Sequence, residues 1–150
     1  MSEQASELGQ SPLRSPSVFN FFRPTYFPTN SQAADNNLVA PEFQLVNETS
    51  VAGYVNIMER AIDLRGWQFQ DLAIDYAAEA AIADDSAALI DRINLLLTAN
   101  QLSSEVRGLI VSAIDAISID PGDDEQEDRL RRVYSAVLLT MASTDYLIQK

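Results

Sequence analysis

There is no cysteine and no histidine anywhere in the sequence. The first absence excludes disulfides, thiolate catalysis and cysteine-ligated zinc, and leaves the redox compartment undetermined. The second removes the side chain that most often acts as a general base near neutral pH and most often ligates transition metals. Basic residues are scarce: 10 Lys and Arg stand against 22 Asp and Glu, a net charge of −12. A field of that sign repels phosphate backbones and anionic lipid surfaces, so neither a nucleic acid nor membrane insertion is expected. A basic partner or a cation is electrostatically easier, and the same charge also keeps a small domain soluble. No apolar run approaches the roughly 20 residues that span a bilayer. The first ten residues are polar and acidic and lack the basic and apolar regions of a secretion signal. No cofactor is expected.

What is present suits a folded domain. With 47% hydrophobic residues in a chain of 150, there is apolar material for one core. It is unevenly laid out. Pro12, Pro16, Pro24, Pro28 and Pro41 are five of the six prolines, and each fixes φ, lacks an amide donor and biases its predecessor away from helix. The same stretch holds Val18, Phe19, Phe21, Phe22, Tyr26, Phe27, Leu38, Val39, Phe43 and Leu45, too apolar a set for a solvated tail. Residues 1–11 read as a disordered tail and residues 12–46 as an extended, proline-stiffened arm packing on the body.

Helical periodicity governs residues 47–150. A first helix is expected over residues 47–64, with Asn47, Thr49 and Ser50 offering cap oxygens and Val51, Tyr54, Val55, Met58 and Ile62 on one face. Arg65-Gly66 supplies its stop. Trp67, Phe69, Leu72 and Ile74 alternate as in an extended link, and the alanine-rich residues 76–83 suggest a short helix. A second long helix starts at Asp85 or Ser86, carries Leu89, Ile90, Ile93, Leu96 and Leu97, and ends at Asn100. A third starts at Ser103 with the stripe Val106, Leu109, Ile110, Ala113, Ile114 and Ile117. After the break at Asp120-Pro121-Gly122, a fourth is expected over residues 124–148. Its buried face is Leu130, Val133, Tyr134, Val137, Leu138 and Met141, and Glu125–Arg129 and Asp128–Arg132 pair four apart. The fold class that follows is mainly α: about four main helices packed as a small bundle, with the arm N-terminal to them.

Four groups of residues are candidates for chemistry. Phe19, Phe21, Phe22, Arg23, Tyr26 and Phe27 form an aromatic and arginine set of the kind that anchors interfaces; packing of the arm on its own helical body is the preferred reading, and docking to a partner the rival one. Asn20, Glu42, Asn47 and Glu48 are expected to be buried hydrogen-bonders that satisfy the arm's backbone, or else to line a ligand site. Asp120, Asp123 and Asp124 open an acidic run that could bind a hard cation, but the run lacks the glycine position and closing glutamate of an EF-hand, and acids capping a helix explain it. No metal is therefore expected. Asp75, Glu79, Asp84 and Asp85 could pair as carboxylates for acid–base work, yet nothing in their spacing fixes a separation, and an exposed helix edge with a cap accounts for them.

Residues 15–24, SPSVFNFFRP, resemble a signature of a very large bacterial family catalogued as domain of unknown function eighteen hundred. LVAPEFQ at residues 38–44 and NETSVAGY at residues 47–54 resemble two further motifs of that family, and LIDRINLLL, LSSEVRGLI and the terminal ASTDYLIQK continue the pattern. Thr144 departs from it, standing where the family often has proline. The resemblance implies a C-terminal portion of a protein that is generally several times longer, exported, and often encoded beside a second exported protein. It implies no reaction. Two functions are therefore weighed. One is a non-catalytic structural or protein-interaction module, whose partner is the missing N-terminal portion or a co-encoded protein. The other is part of a larger hydrolase-like enzyme, to which this chain contributes acidic residues.

Overall fold

A computed structural model describes residues 8–63, 74–122 and 124–148. They are mainly helical; among them the one β feature is an isolated bridge between Ser17 and Asn20. Two compact units divide the chain, Met1–Ile57 and Met58–Lys150. The boundary lies within α2 (Glu48–Ile62), so the first turns of that helix belong with the arm.

The first unit is a series of turns and short helices where an extended run is expected, and its prolines explain why. Pro12 occupies the second position of a turn closed by the Arg14 N–H donating to Ser11 O at 3.3 Å, and Pro24 does the same where Tyr26 N–H donates to Arg23 O at 3.0 Å; a φ preset near −65° suits that position. Ser31 caps α1 (Gln32–Asp35) by accepting from Ala34 N at 3.2 Å. That helix ends in a Schellman motif. Asn37 adopts φ 54°, Leu38 N–H donates to Ala33 O at 2.8 Å and Asn37 N–H to Ala34 O at 3.1 Å. A 3₁₀ turn over Pro41–Leu45 leads to α2. There Asn47 and Ser50 cap each other, with Ser50 N–H on Asn47 Oδ1 at 3.0 Å and Asn47 N–H on Ser50 Oγ at 3.1 Å. Residues 8–11, expected in a free tail, are seated here: Ser11 is buried, and a Cβ on Gly9 (φ 70°) would stand 3.7 Å from that of Ser50. On α2 the buried side chains are Ile57 and Ile62, whereas Val51, expected on that face, is exposed.

The second unit holds the larger core. α3 (Ala77–Ala80) is the short helix expected over residues 76–83, and Asp75 Oδ1 accepts from Ala77 N at 2.9 Å to start it. α4 (Ser86–Thr98) begins at Asp85, whose Oδ1 accepts from Ala88 N at 3.0 Å. α5 (Ser104–Asp115) begins at Ser103, whose Oγ accepts from Val106 N at 3.3 Å. α4, α5 and α6 (Glu125–Ala142) pack on one another, with α3 against α6. Leu89, Ile90, Ile93, Ile110, Ile114, Val133 and Ala136 fill the space between them. Leu96 and Leu109, both assigned to buried stripes by spacing, are 60% and 67% exposed. A two-helix neighbourhood covers a narrower arc than the full apolar stripe offers.

The fourth helix is shorter than its periodicity suggests. Ser143 (φ −73°, ψ 150°) leaves helical geometry and caps a separate α7 (Thr144–Leu147), its Oγ accepting from Tyr146 N at 3.3 Å. Thr144 thus sits at the first helical position, where proline is well tolerated. The expected link through Trp67, Phe69 and Leu72 and the stop at Arg65-Gly66 lie outside the described residues. Among those described, no helix is long and apolar enough to cross a membrane.

Candidate functional site

The first three family-like motifs, residues 15–24, 38–44 and 47–54, all lie in the first unit. Arg23 N–H donates to Gln44 Oε1 at 2.7 Å, tying the first motif to the second, and Ala40 N–H donates to Tyr26 O at 2.8 Å, holding the second to the chain just after the first. Ser50 Oγ–H donates to Leu45 O, tying the third motif to the residue that follows the second. Within the first motif, Ser17 Oγ accepts from Phe19 N at 3.1 Å and Ser17 O from Asn20 N at 3.1 Å, and Asn20 closes the turn at φ 65°. Asparagine tolerates that left-handed geometry better than most residues. The motifs therefore build backbone turns, and those turns decide where the side chains go.

Much of the apolar set points to solvent. Leu13, Val18 and Phe19 are 105%, 94% and 56% exposed, and Phe27, Leu38, Val39, Phe43, Val46 and Val51 are each exposed too. Phe21, Phe22 and Tyr26 are half-buried, and Arg23 is exposed. Asn20, Glu42, Asn47 and Glu48, expected to be buried, are all exposed. The reason is local: Asn47 works as a helix cap, Asn20 as a turn residue, and the arm's backbone groups find partners in one another. A shallow groove of about 960 Å³ runs beside the start of α2, floored by Val46, Val51, Ala52 and Val55 and bordered by Thr29, Asn47, Glu48 and Asn56.

The acidic residues of the second unit are occupied individually. Glu79, buried, pairs with Arg92 at 2.7 Å; Asp84 and Glu125 both pair with Arg129, at 2.7 and 3.1 Å. Asp75 and Asp85 are the caps already described, so the four carboxylates considered for acid–base work are not brought to one place. Asp128, buried, accepts from Asp120 N at 3.2 Å and from Arg131 at 3.4 Å. Its expected partner Arg132 instead donates to Ile117 O at 2.7 Å and Ala83 O at 3.1 Å, closing two carbonyls that end other segments. Asp124 is exposed at the start of α6, and Asp123 lies outside the described residues. Among the described residues no group of three or more acids is arranged to hold a metal.

Sequence reasoning missed three features. Gln44 anchors the first motif. Asn94, buried on α4, accepts through Oδ1 from Leu102 N at 3.1 Å and from Thr98 Oγ1 at 2.5 Å, stapling the α4–α5 turn. Glu59 and Asp63 come with Ile62, Ile117, Arg131, Tyr134, Ser135 and Leu138 around a cleft of about 310 Å³ in the second unit. Nearby, the ring of Tyr76 meets that of Tyr134 edge-on at 5.4 Å. Burial, with the neighbouring Tyr134, Glu79 and Asp63 adding to it, pushes the Tyr76 hydroxyl up to about 12.

No curated protein and no solved structure matches the chain. The sequence model of one family, described as a protein of unknown function (DUF1800), matches residues 1–148. Nearly the whole chain is covered, arm and helices alike, and the chain belongs to the DUF1800 family.

Proposed function

We propose that the chain is a non-catalytic structural or protein-interaction module, the C-terminal portion of a larger protein, and that the first unit carries its docking surface. The observation behind this reading is the exposure of Leu13, Val18, Phe19 and Phe27 on turns fixed by hydrogen bonds. A monomer rarely leaves so many large apolar side chains of one small unit in water without a partner to cover them. Leu13 adds to the case, since φ 60° is a costly conformation for a leucine whose side chain touches so little. Arg14 and Arg23 stand among these residues, and arginine with aromatics is the usual composition of an interface centre. The partner is a protein: the N-terminal portion of the same polypeptide or a co-encoded protein.

The alternative, a contribution of carboxylates to a larger hydrolase-like site, has Glu59 and Asp63 at the second unit's cleft in its favour. One experiment separates the two. Tagged chain is used to capture partners from bacterial lysate, in parallel with Val18→Ser/Phe19→Ser and with Glu59→Gln/Asp63→Asn. Loss of one stoichiometric partner with the first variant and its retention with the second is the expected result. Loss with the second variant alone would contradict the docking assignment.

A further inference from the structure

Charge is divided within the first unit in a way that composition conceals. From residue 8 to residue 34 the only charged residues are Arg14 and Arg23, in a protein of net charge −12. In the second unit Arg92, Arg107, Arg129, Arg131 and Arg132 all spend their guanidinium groups on carboxylates or carbonyls. Arg14 and Arg23 form no ion pair with a described residue. The turns between them lift Val18 and Phe19 into solvent. Further along the same unit lies the groove beside α2, with an apolar floor of Val46, Val51 and Val55 and the exposed Glu48 at its border. One compact unit thus presents a cationic apolar projection and an anionic apolar recess.

We infer that the occupant of the groove is the arm of a second copy of this chain, in a two-fold dimer in which each copy lends its Val18–Phe19 projection to the other's recess. This inference rests on the docking surface proposed above: where the N-terminal portion or co-encoded protein does not cover that surface, a second copy does. Projection and recess lie in one unit, so a two-fold axis satisfies both at once, and the contact closes at two copies instead of growing into a chain. Arg14 or Arg23 of each copy then meets Glu48 of the other. The net charge of −12 opposes association over long distance, but at physiological salt the screening length is about 8 Å, so charges at the contact dominate. Side chains such as Val18, Phe19, Phe43, Val46 and Val51, each giving up on the order of 100 Å², supply about 500 Å² per partner. That is below the roughly 800 Å² of a standard interface and suits a weak, concentration-dependent dimer.

Sedimentation equilibrium of the full chain across a concentration series tests this. The expected result is a mass tending to twice 16.5 kDa, with dissociation about tenfold or more easier in Arg14→Glu/Arg23→Glu and in Glu48→Arg, and dimerisation recovered when the three substitutions are combined. Val18→Ser, at a site 94% exposed and outside any core, is the variant that weakens the dimer with no route to unfolding. A dimer indifferent to all of these substitutions would overturn the inference. So would a chain that stays monomeric throughout; if that monomer still loses its captured partner on Val18→Ser/Phe19→Ser, the interaction module stands and the second copy does not.

Discussion

Leu109 and Ile110 are neighbours on α5, both apolar and both within the helical stripe read from spacing, yet one is 67% exposed and the other 5%. Truncating each to alanine removes comparable carbon and should give very different results. For Ile110 the transfer cost of the lost carbons is about 2 kcal/mol at roughly 0.8 kcal/mol per methylene. The cavity left against Leu89, Ile90 and Val133 adds to that, for a total of about 2–4 kcal/mol. For Leu109 only about a third of the side chain is covered, and alanine's better helix propensity offsets part of that, so the change stays within about 0.5 kcal/mol. Urea denaturation followed by helical circular dichroism measures both, and at this size each kcal/mol moves Tm by roughly 2–8 °C. Ile110→Asp, which places an unpaired charge in the same site, should leave no cooperative transition. Equal losses for Leu109→Ala and Ile110→Ala would refute the placement of α5 against α4 and α6.

Asn94→Ala should cost about 1–3 kcal/mol, because the Leu102 N–H and the Thr98 hydroxyl lose a buried acceptor; hydrogen exchange at Leu102 should accelerate, and an unchanged rate would mean that the α4–α5 turn is held by something else. Tyr76, whose hydroxyl is pushed up to about 12 by burial, favours the folded state while neutral, so its contribution is whole below the ordinary tyrosine value of about 10 and is lost as pH rises from there towards 12. Absorbance at 295 nm should show one of the five tyrosines ionising late, and Tyr76→Phe should remove that step; five tyrosines titrating together would contradict it. The Arg107 guanidinium bonded to Asp91 at 2.7 Å holds that carboxyl below its usual range. The pair therefore stabilises above the unfolded value of about 3.9 and ceases to do so as pH falls through the lowered one. Since Asp91 is largely exposed, a double-mutant cycle with Asp91→Asn and Arg107→Gln should return less than about 1 kcal/mol at neutral pH and less still in acid.

The helical class, the starts of α4 and α5 at Asp85 and Ser103, and the family were legible in the sequence, because caps and period are local signals. Which part of each stripe is covered was not. Spacing puts Leu96 and Leu109 with Ile93 and Ile110, and only the positions of neighbouring helices separate them. Arg132 reads as half of an i,i+4 pair with Asp128, while its actual acceptors, Ala83 O and Ile117 O, are distant in sequence. The arm's aromatics were recognisable as a set needing cover. Asn47 was legible as a cap, but that it and the turn residue Asn20 are exposed depends on backbone geometry that spacing does not specify.

The absence of cysteine gives the central claim a direct measurement. Val18→Cys places one thiol at the projection and Ser112→Cys one on the exposed side of α5, and maleimide labelling reports each against no background. In the dilute purified chain the two thiols should react at similar rates. In cells producing the protein at its native level, the account predicts that Val18→Cys is protected about tenfold or more relative to Ser112→Cys, because the arm is docked. Equal reactivity of the two sites in cells would contradict it.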